Sequence, residues 1–162
     1  MAAQYSDVDI EKMVNERKVL PEDYGTRLQL RDRRGHKERE LDIDGASGNK
    51  FRVILRQSLI NPLDFSIILV VRPPQTNQLF RLRRYNGRSH EHTNRIEGER
   101  FYDFHIHMAT ERYQELGMRE DTYARPTARF GDFHAAQRCM WEDCGFSQPE
   151  GEQQPLFREV SP

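Results

Sequence analysis

Apolar and polar residues alternate along several stretches between residues 27 and 108, and this alternation is typical of strands with one buried face. Between these stretches lie short segments that contain Gly, Pro or Asn, such as residues 33–36 with Gly35, and these residue types favour turns. Residues 63–71 form the most apolar run, which indicates a central strand covered on both faces. The pattern therefore predicts an antiparallel sheet of five or six strands over residues 27–108.

Helical periodicity flanks the predicted sheet on both sides. Ser6 precedes an apolar stripe and predicts the start of a short helix over residues 6–18. Two more helices are predicted over residues 109–145, and the second begins after Asp132. Strands followed by helices indicate an α+β fold, with the two C-terminal helices packed on one face of the sheet.

Length and composition narrow the class of protein. The chain has 162 residues, of which 36% are hydrophobic and 31% are charged. We expect a single domain over residues 1–146 and a mobile polar tail over residues 147–162. No apolar run approaches the ~20 residues that span a membrane, and the first residues lack the apolar core of a signal peptide. We therefore expect a cytoplasmic protein without a membrane partner.

The charges are unevenly distributed along the chain. The net charge is −1, but residues 27–131 carry 20 of the 25 bases and 14 of the 26 acids. Twenty-one of the bases are Arg, whose planar guanidinium binds phosphate and stacks on nucleic-acid bases. RNA or another phosphate-bearing ligand is therefore a candidate partner. The interleaved acids equally fit ordinary ion pairs on a surface.

Four of the six histidines form two His-x-His pairs, at positions 90 and 92 and at positions 105 and 107. Around the second pair the alternate residues are apolar, so His105 and His107 should point away from the core. The same alternation in neighbouring strands predicts that basic and aromatic side chains share this outer face, namely Arg52, Arg56, Arg81, Arg83 and Tyr85. The sequence thus predicts an open sheet face that is rich in Arg and His.

Metal-independent cleavage of RNA is the first chemistry that fits this face, as in nucleases of mobile elements and phage defence. His105 and His107 would act as general base and general acid, and Asp103 would orient one imidazole. Tyr85 would orient the phosphate or share in the proton transfer. Arginines would stabilise the charge on phosphorus: Arg52, Arg56, Arg81 and Arg83. This chemistry needs no cofactor.

Two alternatives from other classes stay open at this point. The protein could be a non-enzymatic binding or assembly module whose Arg-rich face docks a partner protein. It could also hold one divalent transition metal through His90, His92 and Glu97, together with His105 or His107. The spacing H-x-H-x₄-E over residues 90–97 resembles the first metal motif of the cupin family.

The second half of the chain carries an extended motif. It reads LRRYNGRSHEHTN over residues 82–94, IEG over 96–98 and FHIHMATERY over 104–113. These segments resemble an uncharacterised family of small bacterial proteins with RYNG-SHxH-N-xEG and HIHxATERY segments, over roughly residues 79–146. The resemblance implies no activity, but it favours a meeting of the two His pairs in space. It groups ten residues in one pattern: Arg84, Tyr85, Asn86, His90, His92, Glu97, His105, His107, Glu111 and Tyr113.

Overall fold

A computed structural model describes residues 4–74 and 76–149 of the chain. The elements in chain order are α1 (Asp7–Asn15), β1 (Lys18–Val19), α2 (Tyr24–Arg27), β2 (Arg31–Arg33), β3 (His36–Asp44), β4 (Lys50–Ser58), β5 (Phe65–Arg72), β6 (Phe80–Asn86), β7 (His92–Thr93), β8 (Arg100–Phe101), β9 (His105–Met108), α3 (Glu111–Glu115), β10 (Ala124–Pro126), α4 (Phe133–Asp143) and β11 (Phe146–Ser147).

Seven strands form one antiparallel sheet in the spatial order β10-β9-β6-β5-β4-β3-β2. Two small sheets lie outside it, β1 with β11 and β7 with β8. The α+β class and the antiparallel sheet are confirmed. The sheet is larger than the predicted five or six strands, because the short strand β10 adds to its edge beside β9.

One face of the sheet carries the hydrophobic core. Alternate residues of β4 and β5, such as Val53 and Leu69, are fully buried there with Trp141 of α4 and Val14 of α1. The opposite side of the sheet is called the second face below. The alternation of apolar residues along β4 and β9 therefore correctly predicts which side chains leave the core.

Both predicted helix starts are confirmed by capping hydrogen bonds. The Ser6 hydroxyl accepts from the Asp9 N–H at 3.1 Å, and the Asp132 carboxylate accepts from the Ala135 N–H at 2.8 Å. A side-chain acceptor at this position satisfies an N–H group that the first helical turn leaves without an intrahelical partner. The first helix nevertheless ends at Asn15, and Lys18 belongs to β1.

Two predicted elements differ from the structure. The strand predicted to begin at Arg27 is wrong, because Tyr24–Arg27 forms the short helix α2. The pair of C-terminal helices is only half confirmed. α3 has five residues, and its one buried side chain, Tyr113, lies outside the main core and hydrogen-bonds Glu97. α4 is therefore the one clear C-terminal helix in the described part of the chain.

A β-bulge in β6 decides which of its side chains reach the second face. Leu69 pairs with Arg83 and Val70 pairs with Arg81, so Leu82 is an extra residue in the ladder. Beyond the bulge, Arg83 lies opposite a core residue and Arg84 lies opposite Ile68 on the second face. The register shift therefore reverses the predicted orientation of every later side chain in this strand.

The polar tail predicted over residues 147–162 lies mostly outside the described residues. Its first residue, Ser147, pairs with Val19 in the small parallel sheet. Among residues 4–74 and 76–149, the helices all fall short of the length and apolar composition required to cross a membrane.

Candidate metal centre

Three histidines from two separate segments meet on the second face. The ring centroid of His92 on β7 lies 5.5 Å from that of His105 and 4.9 Å from that of His107. The rings of His105 and His107 on β9 are 4.9 Å apart. Each ring offers one nitrogen, and these three nitrogens all lie within 4.8 Å of one another. His92, His105 and His107 are called the three-histidine cluster below.

The hairpin of β7 and β8 carries His92 to this position. His92 pairs with Phe101 across the hairpin, and the Phe101 ring lies 5.6 Å from the ring of His105. The side chains of His105 and His107 are consequently buried, with exposed fractions of 0% and 3%. The predicted open face is therefore wrong at this end of the sheet, where the hairpin covers the histidines.

Backbone carbonyl groups fix the rings of His105 and His107. Nδ1 of His105 lies 2.8 Å from the Asp103 carbonyl oxygen, and Nδ1 of His107 lies 2.8 Å from that of Asp121. A carbonyl can only accept, so each Nδ1 carries the proton, and each Nε2 holds a lone pair in the neutral ring. Both Nε2 atoms are buried with no hydrogen-bond partner among the described residues. The contact of Asp103 with His105 uses the backbone carbonyl, and the Asp103 side chain is exposed.

The third ring is fixed by the buried side chain of Asn94. The Asn94 amide donates to the Ala124 carbonyl at 2.7 Å, and its Oδ1 accepts from the Ala124 N–H at 2.9 Å. These two bonds define the orientation of the amide, so Nε2 of His92, 2.9 Å from Oδ1, must donate. The free lone pair of His92 is therefore on Nδ1. In the neutral state, each ring of the cluster then has one nitrogen that donates to the protein and one that holds a lone pair.

Burial keeps these imidazoles neutral. Desolvation lowers the pKa of His105 to about 4, against the raising effect of the Asp103 carbonyl. Desolvation, followed by the positive charge of Arg84, lowers the pKa of His107 to about 2. The pKa of His92 is lowered as well, first by burial. All three rings therefore have lone pairs at neutral pH, which is the state that binds a metal ion.

A buried ion pair borders the cluster. Arg84 lies opposite His107 in the β6–β9 ladder, and its Nε is 3.2 Å from Oδ2 of the fully buried Asp121. The same Asp121 supplies the carbonyl that holds His107. One residue thus orients a histidine with its backbone and neutralises the adjacent guanidinium with its side chain.

His90 lies beside the cluster but outside it. Its exposed ring is 5.8 Å from that of His105, and its Nδ1 lies 3.2 Å from the Ser89 hydroxyl. The Ser89 hydroxyl lies 3.2 Å from a carboxylate oxygen of Asp64. Because that hydroxyl donates to Asp64, it accepts from Nδ1 of His90, which leaves a lone pair on Nε2 of this ring. The two His-x-His pairs therefore meet in space.

Glu97 lies away from the histidines. Its carboxylate accepts from Arg112 at 2.7 Å and from the Tyr113 hydroxyl at 2.7 Å. These bonds tie the β7–β8 turn to α3. The structure therefore changes the metal ligand set that the sequence suggested. His92 contacts both residues of the second pair, whereas Glu97 stabilises the hairpin that carries His92.

Tyr85 and Arg83 lie on the core face, contrary to the prediction. The Tyr85 hydroxyl is buried and donates to Asp143 of α4 at 2.6 Å, and Arg83 lies near the same group. Burial raises the pKa of Tyr85, so this hydroxyl stays protonated. The bulge at Leu82 is the reason, because it turns both side chains toward α4. Neither side chain lies on the face that carries the three-histidine cluster.

We expect Tyr85→Phe to lower the free energy of unfolding by about 1–3 kcal/mol, since it removes a hydrogen bond to a buried carboxylate. Asp143 keeps its two contacts with Arg129, at 2.9 and 2.8 Å, so the fold should survive. Urea unfolding measures the change. Tyr102→Phe is the matched control, because Tyr102 is 48% exposed. Equal stabilities of the two variants would contradict this structural role.

Arg52 and Arg56 do lie on the second face, but β3 supplies acidic partners for both. Arg52 donates to Asp42 at 2.7 Å, and Arg56 lies 3.1 Å from Glu38. β4 is the third strand from β9, about 14 Å away at ordinary strand spacing. Of the four arginines predicted to contact phosphate, Arg81 is the one that lies on this face near the cluster.

Two residues that complete the surroundings of the cluster were not predicted from the sequence, Asn94 and Asp121, whereas Arg84 was grouped with the histidines in the family-like pattern. Asn94 stands within the family-like segment, which is the one signal that could have indicated it. Asp121 acts on His107 through a backbone carbonyl from 14 residues away, so its residue type carries no signal for that contact.

Comparison of the chain with protein-family models, with curated proteins and with solved structures finds no match. This is consistent with the resemblance to an uncharacterised family. The functional argument therefore depends on the geometry of the cluster.

Proposed function

We propose that the protein is a metalloprotein that binds one divalent transition metal ion through His92, His105 and His107. The observation that supports this proposal is the convergence of one nitrogen from each of three rings within 4.8 Å, on rings that are each fixed by a hydrogen bond to the protein. Histidine ligands of metals characteristically donate their second N–H to a carbonyl or a similar acceptor, which fixes the tautomer and the ring.

Zinc fits this ligand set well. Zn–N bonds of about 2.0–2.1 Å place tetrahedral ligand nitrogens roughly 3.3 Å apart. The nitrogens, within 4.8 Å of one another, would therefore need to approach by no more than roughly 1.5 Å. Imidazole ligands also suit iron, copper and nickel. Three protein ligands leave one tetrahedral position open, which is the arrangement of catalytic rather than structural zinc sites.

The chemistry that follows is hydrolysis by an activated water molecule. A divalent metal in such a site lowers the pKa of a bound water towards neutrality. His90 is the residue placed to receive the proton, because its ring borders the cluster, is exposed to solvent and holds a lone pair on Nε2. The Ser89 hydroxyl donates to Asp64 and therefore accepts from Nδ1 of His90, which orients this ring.

A metal-independent ribonuclease fits the same residues less well. That mechanism requires one of His105 and His107 to be protonated, so that it can act as the general acid. Burial lowers the pKa values of these rings to about 4 and about 2, which leaves both rings neutral at pH 7. Metal-activated water needs only their lone pairs. RNA and other phosphate esters remain candidate substrates of the metal-dependent reaction.

Metal analysis tests the proposal directly. We expect protein that has been stripped with chelator and reloaded with zinc to hold one ion per chain after gel filtration. His107→Ala should weaken zinc binding at least about 100-fold, because it removes one of three ligands. His90→Ala should keep the ion. His36→Ala is the matched control, since His36 lies on β3 and pairs with Glu38.

The outcomes separate the alternatives. Zinc binding that is equal in wild type and in a correctly folded His107→Ala variant would overturn the proposal, and circular dichroism establishes the folding. A binding module without metal would give no stoichiometric zinc in any variant. Cleavage of labelled single-stranded RNA in excess chelator would favour the metal-independent ribonuclease, whereas the proposed function predicts that any cleavage stops there.

A further inference from the structure

Three guanidinium groups converge on Asp121 next to the three-histidine cluster. The distances from the Asp121 carboxylate are 3.2 Å for Arg84, 3.7 Å for Arg119 and 4.0 Å for Arg81. Asp121 is fully buried, whereas the side chains of Arg119 and Arg81 are 58% and 27% exposed. The buried carboxylate therefore attracts all three arginines, and the side chains of Arg119 and Arg81 are partly exposed to solvent.

This cluster has more hydrogen-bond donors than one carboxylate can use. Each guanidinium has five N–H donors, and a carboxylate offers about four acceptor sites. Arg84 is the one arginine that hydrogen-bonds Asp121 within the described residues, through Oδ2, and Oδ1 is buried without a hydrogen-bond partner. The nearby Glu120 uses one carboxylate oxygen for the backbone N–H of Arg81. Positive charge and free donors thus remain at the surface.

The geometry around the arginines leaves room for a ligand. Arg81 and Arg119 line an open depression of about 460 Å³, and Ile54, Val70 and Glu120 are also among its lining residues. Arg84 connects this depression to the metal centre, because it shares Asp121 with the other arginines and lies opposite His107 in the ladder. Directly opposed residues of antiparallel strands have Cα atoms about 5 Å apart.

We propose that Arg81, Arg84 and Arg119 bind a phosphate group of the substrate beside the three-histidine cluster. This inference rests on the proposed function and specifies its substrate as a phosphate ester. Guanidinium groups bind phosphate through parallel N–H···O bonds, which matches the donors that Asp121 leaves free. In this arrangement the arginines would hold the phosphate, and the three-histidine cluster, once it held its metal ion, would supply the activated water for hydrolysis of the ester.

Calorimetric titration with inorganic phosphate tests the inference. We expect wild-type protein in chelator to bind phosphate, and Arg81→Gln combined with Arg119→Gln to weaken binding at least about tenfold, because charge-assisted hydrogen bonds are lost. The zinc content of the double variant should be unchanged. Arg34→Gln is the matched control, since it removes an exposed arginine from the turn between β2 and β3, at the opposite edge of the sheet.

The two proposals can fail separately. Equal phosphate affinity in wild type and the double variant overturns the arginine site, even when the protein holds zinc. Phosphate binding that depends on zinc and not on the arginines also overturns it, because the phosphate then binds the metal alone. Loss of phosphate affinity in the double variant supports the site, even when the wild type holds no zinc and the proposed function fails.

A competition experiment identifies the source of the phosphate. We expect single-stranded RNA to displace inorganic phosphate from the arginines if the substrate is a nucleic-acid backbone, with an affinity that falls steeply as salt rises. Displacement by a small phosphate monoester such as phenyl phosphate, and not by RNA, assigns the site to small substrates. Either displacement supports the site, and failure of both ligands to compete overturns it.

Discussion

Zinc is expected to raise the free energy of unfolding of the chelator-treated protein by about 4 kcal/mol when free zinc is about a thousandfold above its dissociation constant. The reason is that the ligands come from β7 and β9, and the hairpin must fold over the sheet before their lone pairs meet. An unfolded chain holds the same histidines without this geometry and binds the ion more weakly. Binding to the folded state alone stabilises that state by mass action.

Urea unfolding with and without zinc measures this increment. The fluorescence of Trp141 reports the transition, because it is the one tryptophan of the chain and its side chain is buried in the core. Magnesium is the control ion, since it prefers oxygen ligands and should leave the curve unchanged. His107→Ala should lose most of the increment. Superimposable wild-type curves with and without zinc would contradict the expectation.

Acid is expected to destabilise the metal-free protein between about pH 6.5 and pH 4. The pKa of His105 is lowered to about 4 and that of His107 to about 2 in the folded state, from an ordinary value of 6.5. The unfolded chain therefore binds more protons in this range, and the free energy of unfolding falls as the pH falls. Two such groups lower the free energy of unfolding by on the order of 6 kcal/mol between about pH 6.5 and pH 4, and this stability is fully present above about pH 6.5.

Comparison with a variant isolates the histidine contribution from that of the carboxylates. Wild type and the double variant His105→Asn, His107→Asn are unfolded in urea at several pH values, both in chelator. We expect the pH dependence of the variant to be flatter, because asparagine does not titrate. Histidine NMR signals of the wild type give a second measurement that requires no variant. The expectation would be refuted if the signals of all six histidines titrated near pH 6.5.

The difference between the sequence prediction and the site is clearest in β6. Its side chains alternate correctly as far as Arg81, and the bulge at Leu82 then turns Arg83 and Tyr85 to the core and Arg84 to the histidines. The position of a bulge depends on how the neighbouring strands pack, and a strand's own alternation contains no information about it. One extra residue therefore moved the predicted phosphate-binding Arg83 and the predicted proton-transfer residue Tyr85 to the core face, and it placed Arg84 on the second face instead.

The directions of the side chains along β9 were, in contrast, predictable without a structure. The side chain of Ile106 lies in the core, and those of its two neighbours lie on the second face. Successive side chains of a strand point to opposite faces of the sheet, and this alternation is reliable over so short a distance. The capping residues Ser6 and Asp132 were likewise readable, since a cap is a contact within a few residues of chain. Local physical chemistry decides such features.

The sequence by itself thus determined the α+β class, the antiparallel sheet, two helix starts and the outward direction of the second histidine pair. The tertiary structure alone decided that His92 joins this pair, that Glu97 does not, and that Asn94 and Asp121 complete the surroundings. The physical reason is the separation along the chain between the residues that make these contacts. The deciding contacts join residues 13 to 30 positions apart, and several use backbone carbonyls, which every residue type carries.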